Sequence, residues 1–154
     1  AVLVAVYLLT LFWHSAISVE QLVQKALTAN EESQRIQAAQ ELSRLGEEGL
    51  LGMRQVFNES DNTVVIAISL LGLSRQRDYQ CMDLIIDKLD DSEETVRAAA
   101  AKAVTCLLGR DYGFPVRGKV SEWTEYKKRI HNDWEQYRGS ELFEFNLQRV
   151  SSSR

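Results

Sequence analysis

Leu89-Asp90-Asp91-Ser92-Glu93-Glu94-Thr95-Val96-Arg97-Ala98-Ala99-Ala100-Ala101 is the stretch on which the fold of this chain turns. Asp91 or Ser92 is placed to accept from the orphan N–H groups of a helix start, and Glu93 and Glu94 suit the positive end of a helix dipole. A helix is therefore expected from Glu94 to about Leu108. Gly109 closes it, being the residue type that most readily takes the left-handed turn after a helix. Val96, Ala100, Val104 and Leu107 fall on one face, and the run of alanines lets a neighbouring helix approach closely. Just upstream, residues 78–89 place Cys81, Leu84, Ile85 and Leu89 at helical spacing. The two segments together make a helical hairpin.

Comparison of the chain with itself extends the pattern. A slide of 62 residues sets Leu22, Val23, Leu27, Arg35, Ala38, Ala39, Leu42 and Leu45 on Leu84, Ile85, Leu89, Arg97, Ala100, Ala101, Val104 and Leu107. Between them a weaker copy sets Phe57 and Val64 on Leu89 and Val96. A one-residue slip then sets Ala67 and Leu71 on Ala100 and Val104. Three copies about 29 to 33 residues apart form a repeat-protein period. The first copy predicts helices over Val19–Thr28 and residues 32–45, closed by Gly46, and the second over residues 48–57 and 62–73.

The segment from Leu89 to Arg97, with the alanine-rich helix after it, resembles the HEAT-repeat signature: a leucine, an acidic turn, then Val-Arg and paired small residues. The resemblance covers roughly residues 19–109. It departs at Gln34, where the valine would stand, and at Val65, where the arginine would stand. It implies an all-α fold: a short right-handed α-solenoid of about three hairpins, at 18–46, 47–74 and 76–109. It also implies a structural polar ladder between turn aspartates and arginines, carried here by Asp91, Arg97 and Arg35. In such stacks the second helices line a concave surface, whose exposed positions are Gln37, Glu41, Arg44, Lys102 and Thr105.

Flanking segments bound the stack. Residues 1–17, AVLVAVYLLTLFWHSAI, carry no charge, and a spanning helix takes about 20 apolar residues. A transmembrane or signal-anchor segment is expected there, ahead of a cleaved signal peptide or a buried first helix. Residues 110–139 read as a connection, with Gly109, Gly113 and the single proline, Pro115, followed by a helix over residues 121–137 with Ser121 as its N-cap. That segment is similar to the ending of many bacterial HEAT-repeat proteins. Its aromatic stripe, Trp123, Tyr126, Trp134 and Tyr137, is expected to cap the last hairpin, as the end of a repeat stack must be covered. In the 140–154 tail, Phe143, Phe145 and Leu147 alternate with polar residues at a strand-like period.

Composition narrows the function. Residues 18–109 hold 9 Lys/Arg against 15 Asp/Glu, and residues 110–154 hold 9 against 7, within a net charge of −4. Nucleic acid is therefore not an expected partner. Two cysteines and two distant histidines form no metal-ligand motif, and no nucleophile triad or phosphate loop is present, so no cofactor is expected. Cys81 and Cys106 admit two readings: a bridge within one hairpin outside the cytoplasm, or a buried free Cys81 acting as a small hydrophobe. The chain reads as a non-catalytic protein–protein interaction module, tethered to a membrane through residues 1–17. The alternative is an enzyme or accessory protein on the same scaffold, of the bilin-lyase type.

Overall fold

The computed structural model describes residues 17–152, and in that span the chain is all-helical. Most of the expected N-terminal anchor lies outside the described residues, as do residues 153–154. Among the described residues no helix is long and apolar enough to cross a membrane. The α-helices are α1 (Val19–Thr28), α2 (Glu32–Arg44), α3 (Leu50–Glu59), α4 (Thr63–Arg75), α5 (Met82–Asp87), α6 (Glu94–Leu108), α7 (Val120–Arg138) and α8 (Glu141–Ser152). Short 3-10 turns flank α5 at Tyr79–Cys81 and Lys88–Asp90.

Side-chain caps set the starts of α1 and α4. Ser18 Oγ accepts from the Gln21 amide while Gln21 Oε1 accepts from the Ser18 amide, satisfying two donors at the start of α1. Asn62 Oδ1 accepts from Val64 and Val65 at the start of α4, and its amide nitrogen reaches Glu32 of α2 at 2.8 Å. At the other ends, Gly46 and Gly109 take φ of +63° and +66°, a conformation glycine adopts without steric cost.

Six helices form three hairpins: α1–α2, α3–α4 and α5–α6. Their second helices begin at Glu32, Thr63 and Glu94, a uniform step of 31 residues. Consecutive second helices lie side by side, α2 on α4 and α4 on α6, and α1 packs on α3. The uniform step corrects the slipped register expected for the middle hairpin. Val65, fully buried, is the counterpart of Val96, whereas Val64 is 37% exposed. Ile66, not Val65, then stands where the first and third hairpins carry Arg35 and Arg97. Two adjacent valines score alike in a sequence match, and only burial separates them.

The first helix of the third hairpin also differs from expectation. It is broken into turns, and its buried stripe is Met82, Ile85, Ile86 and Leu89, with Leu84 turned out and 45% exposed. The cause lies at Asp78, which is buried and whose carboxylate receives Arg54 twice at 2.6 Å and the Gln80 amide. That lock ends the preceding chain in a tight turn, and the helical phase starts from Met82. Downstream, α7 begins one residue before Ser121, the expected cap. The Lys119 amide donates to Glu122 at 2.7 Å in its place. The segment expected at strand period is helix α8: Ser140 Oγ accepts from the Phe143 amide, and Glu141 and Glu144 occupy the first turn.

One apolar core runs through the hairpins into α7, centred on Leu42, Val56, Leu70, Leu73, Ile85, Leu89, Val104 and Ile130. Gly52 marks a close approach of α3 to the first hairpin. A Cβ there would meet Val23 Cγ2 at 2.8 Å, with Leu42 Cδ2 and Val19 Cγ1 both at 3.1 Å. Val23 is β-branched and stiff, so it cannot yield cheaply. Gly52→Ala is expected to destabilise the chain by about 1–2 kcal/mol, the overpacking cost outweighing the helix-propensity gain. Urea unfolding measures this, and a stability equal to or above wild type would contradict the packing.

Candidate functional site

The outward face of α6 carries Thr95, Ala98, Lys102 and Thr105, spaced three and four residues apart and therefore aligned along one stripe. Beside it α4 presents Ala67 and Leu71 at one-turn spacing. On the far side the connection of residues 109–119 folds back over the hairpin. Between these walls lies an open groove of about 750 Å³, lined also by Tyr112, Phe114, Val116 and Ile130. Its size falls within the range of about 300–1,000 Å³ typical of ligand pockets, and its lining is chiefly apolar.

The connection is held at several points. Asp111 Oδ1 accepts from the Gly113 amide at 2.8 Å, and Gly113 takes φ +62°. The Tyr112 hydroxyl donates to Asp133 Oδ2 at 2.9 Å, and Arg110 reaches the same oxygen at 3.0 Å. Burial, and then the bond to Asp133, push the Tyr112 phenol up to about 12. The Trp123 indole donates to the Pro115 carbonyl at 2.8 Å, and Phe114 meets Tyr126 edge-on at 6.0 Å. The groove is thus preformed.

Arg97 joins these parts. Its guanidinium donates to the Asp91 and Ser92 carbonyls at 2.8 and 2.9 Å and to the Val116 carbonyl at 2.9 Å, and lies 4.3 Å from the Trp123 ring centroid. The Asp91 carboxylate points elsewhere, to Lys88 Nζ and the Glu93 amide, both within 3.0 Å. Burial works against its charge, but these donors together with Arg97 hold the carboxyl below its ordinary value. Asp91 and Arg97 therefore meet through the backbone of the turn. Arg35 reaches across to Asp61 in the next hairpin at 3.8 Å, and its Nε is buried without a partner.

The expected partner positions divide into two groups. Lys102 and Thr105 line the groove, although the Thr105 hydroxyl is committed to the Ala101 carbonyl at 3.0 Å. Lys102 is exposed and makes no ion pair among the described residues. Gln37 donates to Glu41 at 3.0 Å, Arg44 is exposed, and all three lie outside the groove lining.

The aromatic stripe of α7 packs over the third hairpin. Trp134 is buried, stacks on Tyr79 at 6.0 Å and 8°, and donates to Asp83 at 3.0 Å. Tyr137 closes on Tyr79 at 6.0 Å, and Phe143 of α8 meets Tyr79, Trp134 and Tyr137 edge-on. Tyr79 in turn donates to the Leu107 carbonyl at 3.3 Å. Tyr79, Tyr112, Asp133 and the Arg54–Asp78 pair were not singled out by sequence reasoning. Each acts through a partner more than twenty residues away, which no local spacing signals. Asp83, His131 and Glu135 also converge, with one ligand-capable atom from each within 4.8 Å of the others.

Compared with known proteins, the chain matches no family model, no curated protein and no solved structure.

Both cysteines are free. Cys81 is buried, and burial, followed by the nearby Asp78 carboxylate, pushes its thiol up to about 12. Cys106 is exposed at the groove. An aromatic disulfide reagent at neutral pH is expected to modify one thiol per native chain, assigned to Cys106 by the Cys106→Ser variant, and the second only after unfolding. Prompt reaction of both would contradict the burial of Cys81.

Proposed function

We propose that this chain is a non-catalytic protein-binding module: a short right-handed α-solenoid of three HEAT-like hairpins, capped by α7 and tethered to a membrane through residues 1–17. The reading rests on one observation, the uniform 31-residue step of the second helices beside a preformed apolar groove. Stacked hairpins of this kind offer an extended surface rather than an enclosed reaction chamber. The occupant is an amphipathic partner helix. Small side chains on α6 allow it to approach closely, Leu71 and Phe114 receive its apolar side chains, and exposed Lys102 faces a carboxylate on it. Gln37, Glu41 and Arg44 extend the surface along α2, toward the roughly 800 Å² per side of a standard stable complex.

The test begins with the partner that wild-type chain retains from cell extract, identified and then produced separately. Ala98→Trp fills the groove from an exposed position, and Lys102→Glu reverses its charge. Each is expected to weaken binding at least about tenfold, and the bound partner to protect Cys106 from alkylation, in keeping with a central contact worth over 1.4 kcal/mol. Undiminished binding by both variants would remove the groove from the interaction. The tether is tested separately by membrane fractionation of the chain with and without residues 1–17. Equal solubility of the two forms would eliminate it.

A further inference from the structure

We propose that Asp83, His131 and Glu135 form a site for a divalent ion of the zinc type, which pins α7 to the third hairpin. The inference is independent of the groove. His131 and Glu135 stand one turn apart on the same face of α7, with Nε2 and Oε1 3.9 Å apart. Asp83 arrives from α5, and one ligand-capable atom from each of the three lies within 4.8 Å of the others. Tertiary packing assembles this mixed set, which is why two histidines far apart in sequence carried no metal motif.

The surroundings already orient the donors and supply a cation. Trp134 Nε1 donates to Asp83 Oδ1 at 3.0 Å, which holds that carboxylate against α7 and leaves Oδ2 facing outward toward Arg138. Arg138 spans the two carboxylates, with Glu135 Oε1 at 2.6 Å and Asp83 Oδ2 at 3.7 Å. Its guanidinium therefore neutralises the same pair of charges that a metal ion would bind. Arg138 lies in the last turn of α7 and is close to half exposed, so it can swing into water as an ion enters.

Donor chemistry selects the ion. An imidazole nitrogen with two carboxylate oxygens suits zinc and its neighbours, bound at about 2.0–2.2 Å with a fourth position left to water. Magnesium and calcium prefer all-oxygen shells and gain little from the imidazole. Bringing the three atoms to zinc's bonding distance requires them to close by about an ångström or somewhat more. All three side chains are exposed, so rotamer adjustment supplies that movement. Because the ligands come from both α5 and α7, the ion acts as a clasp on the cap.

The test is calorimetric titration of the metal-stripped full chain with zinc chloride, magnesium chloride serving as comparator, together with thermal unfolding. One zinc per chain is expected, with a raised Tm, and no response to magnesium. His131→Asn and Asp83→Asn each weaken zinc binding at least about tenfold and abolish the Tm gain, while their unfolding without zinc reports whether they fold. Arg138→Gln tightens zinc binding several-fold by removing the competing cation. His14→Asn and Cys106→Ser leave it unchanged. Absence of zinc binding, equal binding of magnesium, or zinc binding that survives both His131→Asn and Asp83→Asn would each overturn the proposal.

Discussion

A buried guanidinium has to be given acceptors, and the way Arg97 obtains them organises the C-terminal half of this molecule. Three backbone carbonyls, two in the turn before α6 and one in the connection after it, face its donors, and the Trp123 ring covers its plane. Charge-assisted bonds of this kind are stronger than neutral ones, and removing one partner of a buried set exposes the remainder to the full desolvation cost. Arg97 therefore sets three things together: the angle of the α5–α6 turn, the return path of residues 109–119, and the seat of α7. The groove is the space left between these parts.

A second buried charge plays the corresponding role one hairpin earlier. Arg54 of α3 meets Asp78 as a two-pronged pair, and Asp78 is almost wholly removed from water. Desolvation offsets much of the attraction in such a pair, so its net contribution to stability is small next to the cost of removing one partner. Here the pair fixes the turn between the second and third hairpins. That turn starts α5 at Met82 and turns Leu84 outward. It also brings Tyr79 under Trp134 and Phe143, where four aromatic rings pack together against the third hairpin. The aromatic cluster is thus built jointly by α7, α8 and the turn, not by α7 alone.

Much of this was legible in the residues. The all-helical class, the helix Val19–Thr28, the second helices of all three hairpins and the glycine stops follow from local periodicity and turn chemistry, whereas the side-chain cap expected from Asp91 or Ser92 is absent and α6 starts after Glu93. The α7 stripe was legible too, since Trp134 and Tyr137 recur at helical spacing. The errors have equally local causes. Val64 and Val65 are indistinguishable by type, and the alternation of Phe143, Phe145 and Leu147 gives a strand-like period to a segment that is helical. The groove was legible only in part: Lys102 and Thr105 line it, while Gln37, Glu41 and Arg44 do not.

What the sequence determined by itself is therefore most of the helices and an approximate repeat, α8, the broken start of the third hairpin and the middle register excepted, because those depend on hydrogen bonds and side-chain faces within a few residues of chain. The tertiary structure alone decided where the charges and rings go. Arg97 finds carbonyls rather than the Asp91 carboxylate, Asp78 finds Arg54, and Asp83 meets His131 and Glu135 across two helices. These are contacts between distant segments. Their partners are selected by burial and by the cost of leaving desolvated polar groups unpaired, conditions that exist only once the helices have packed.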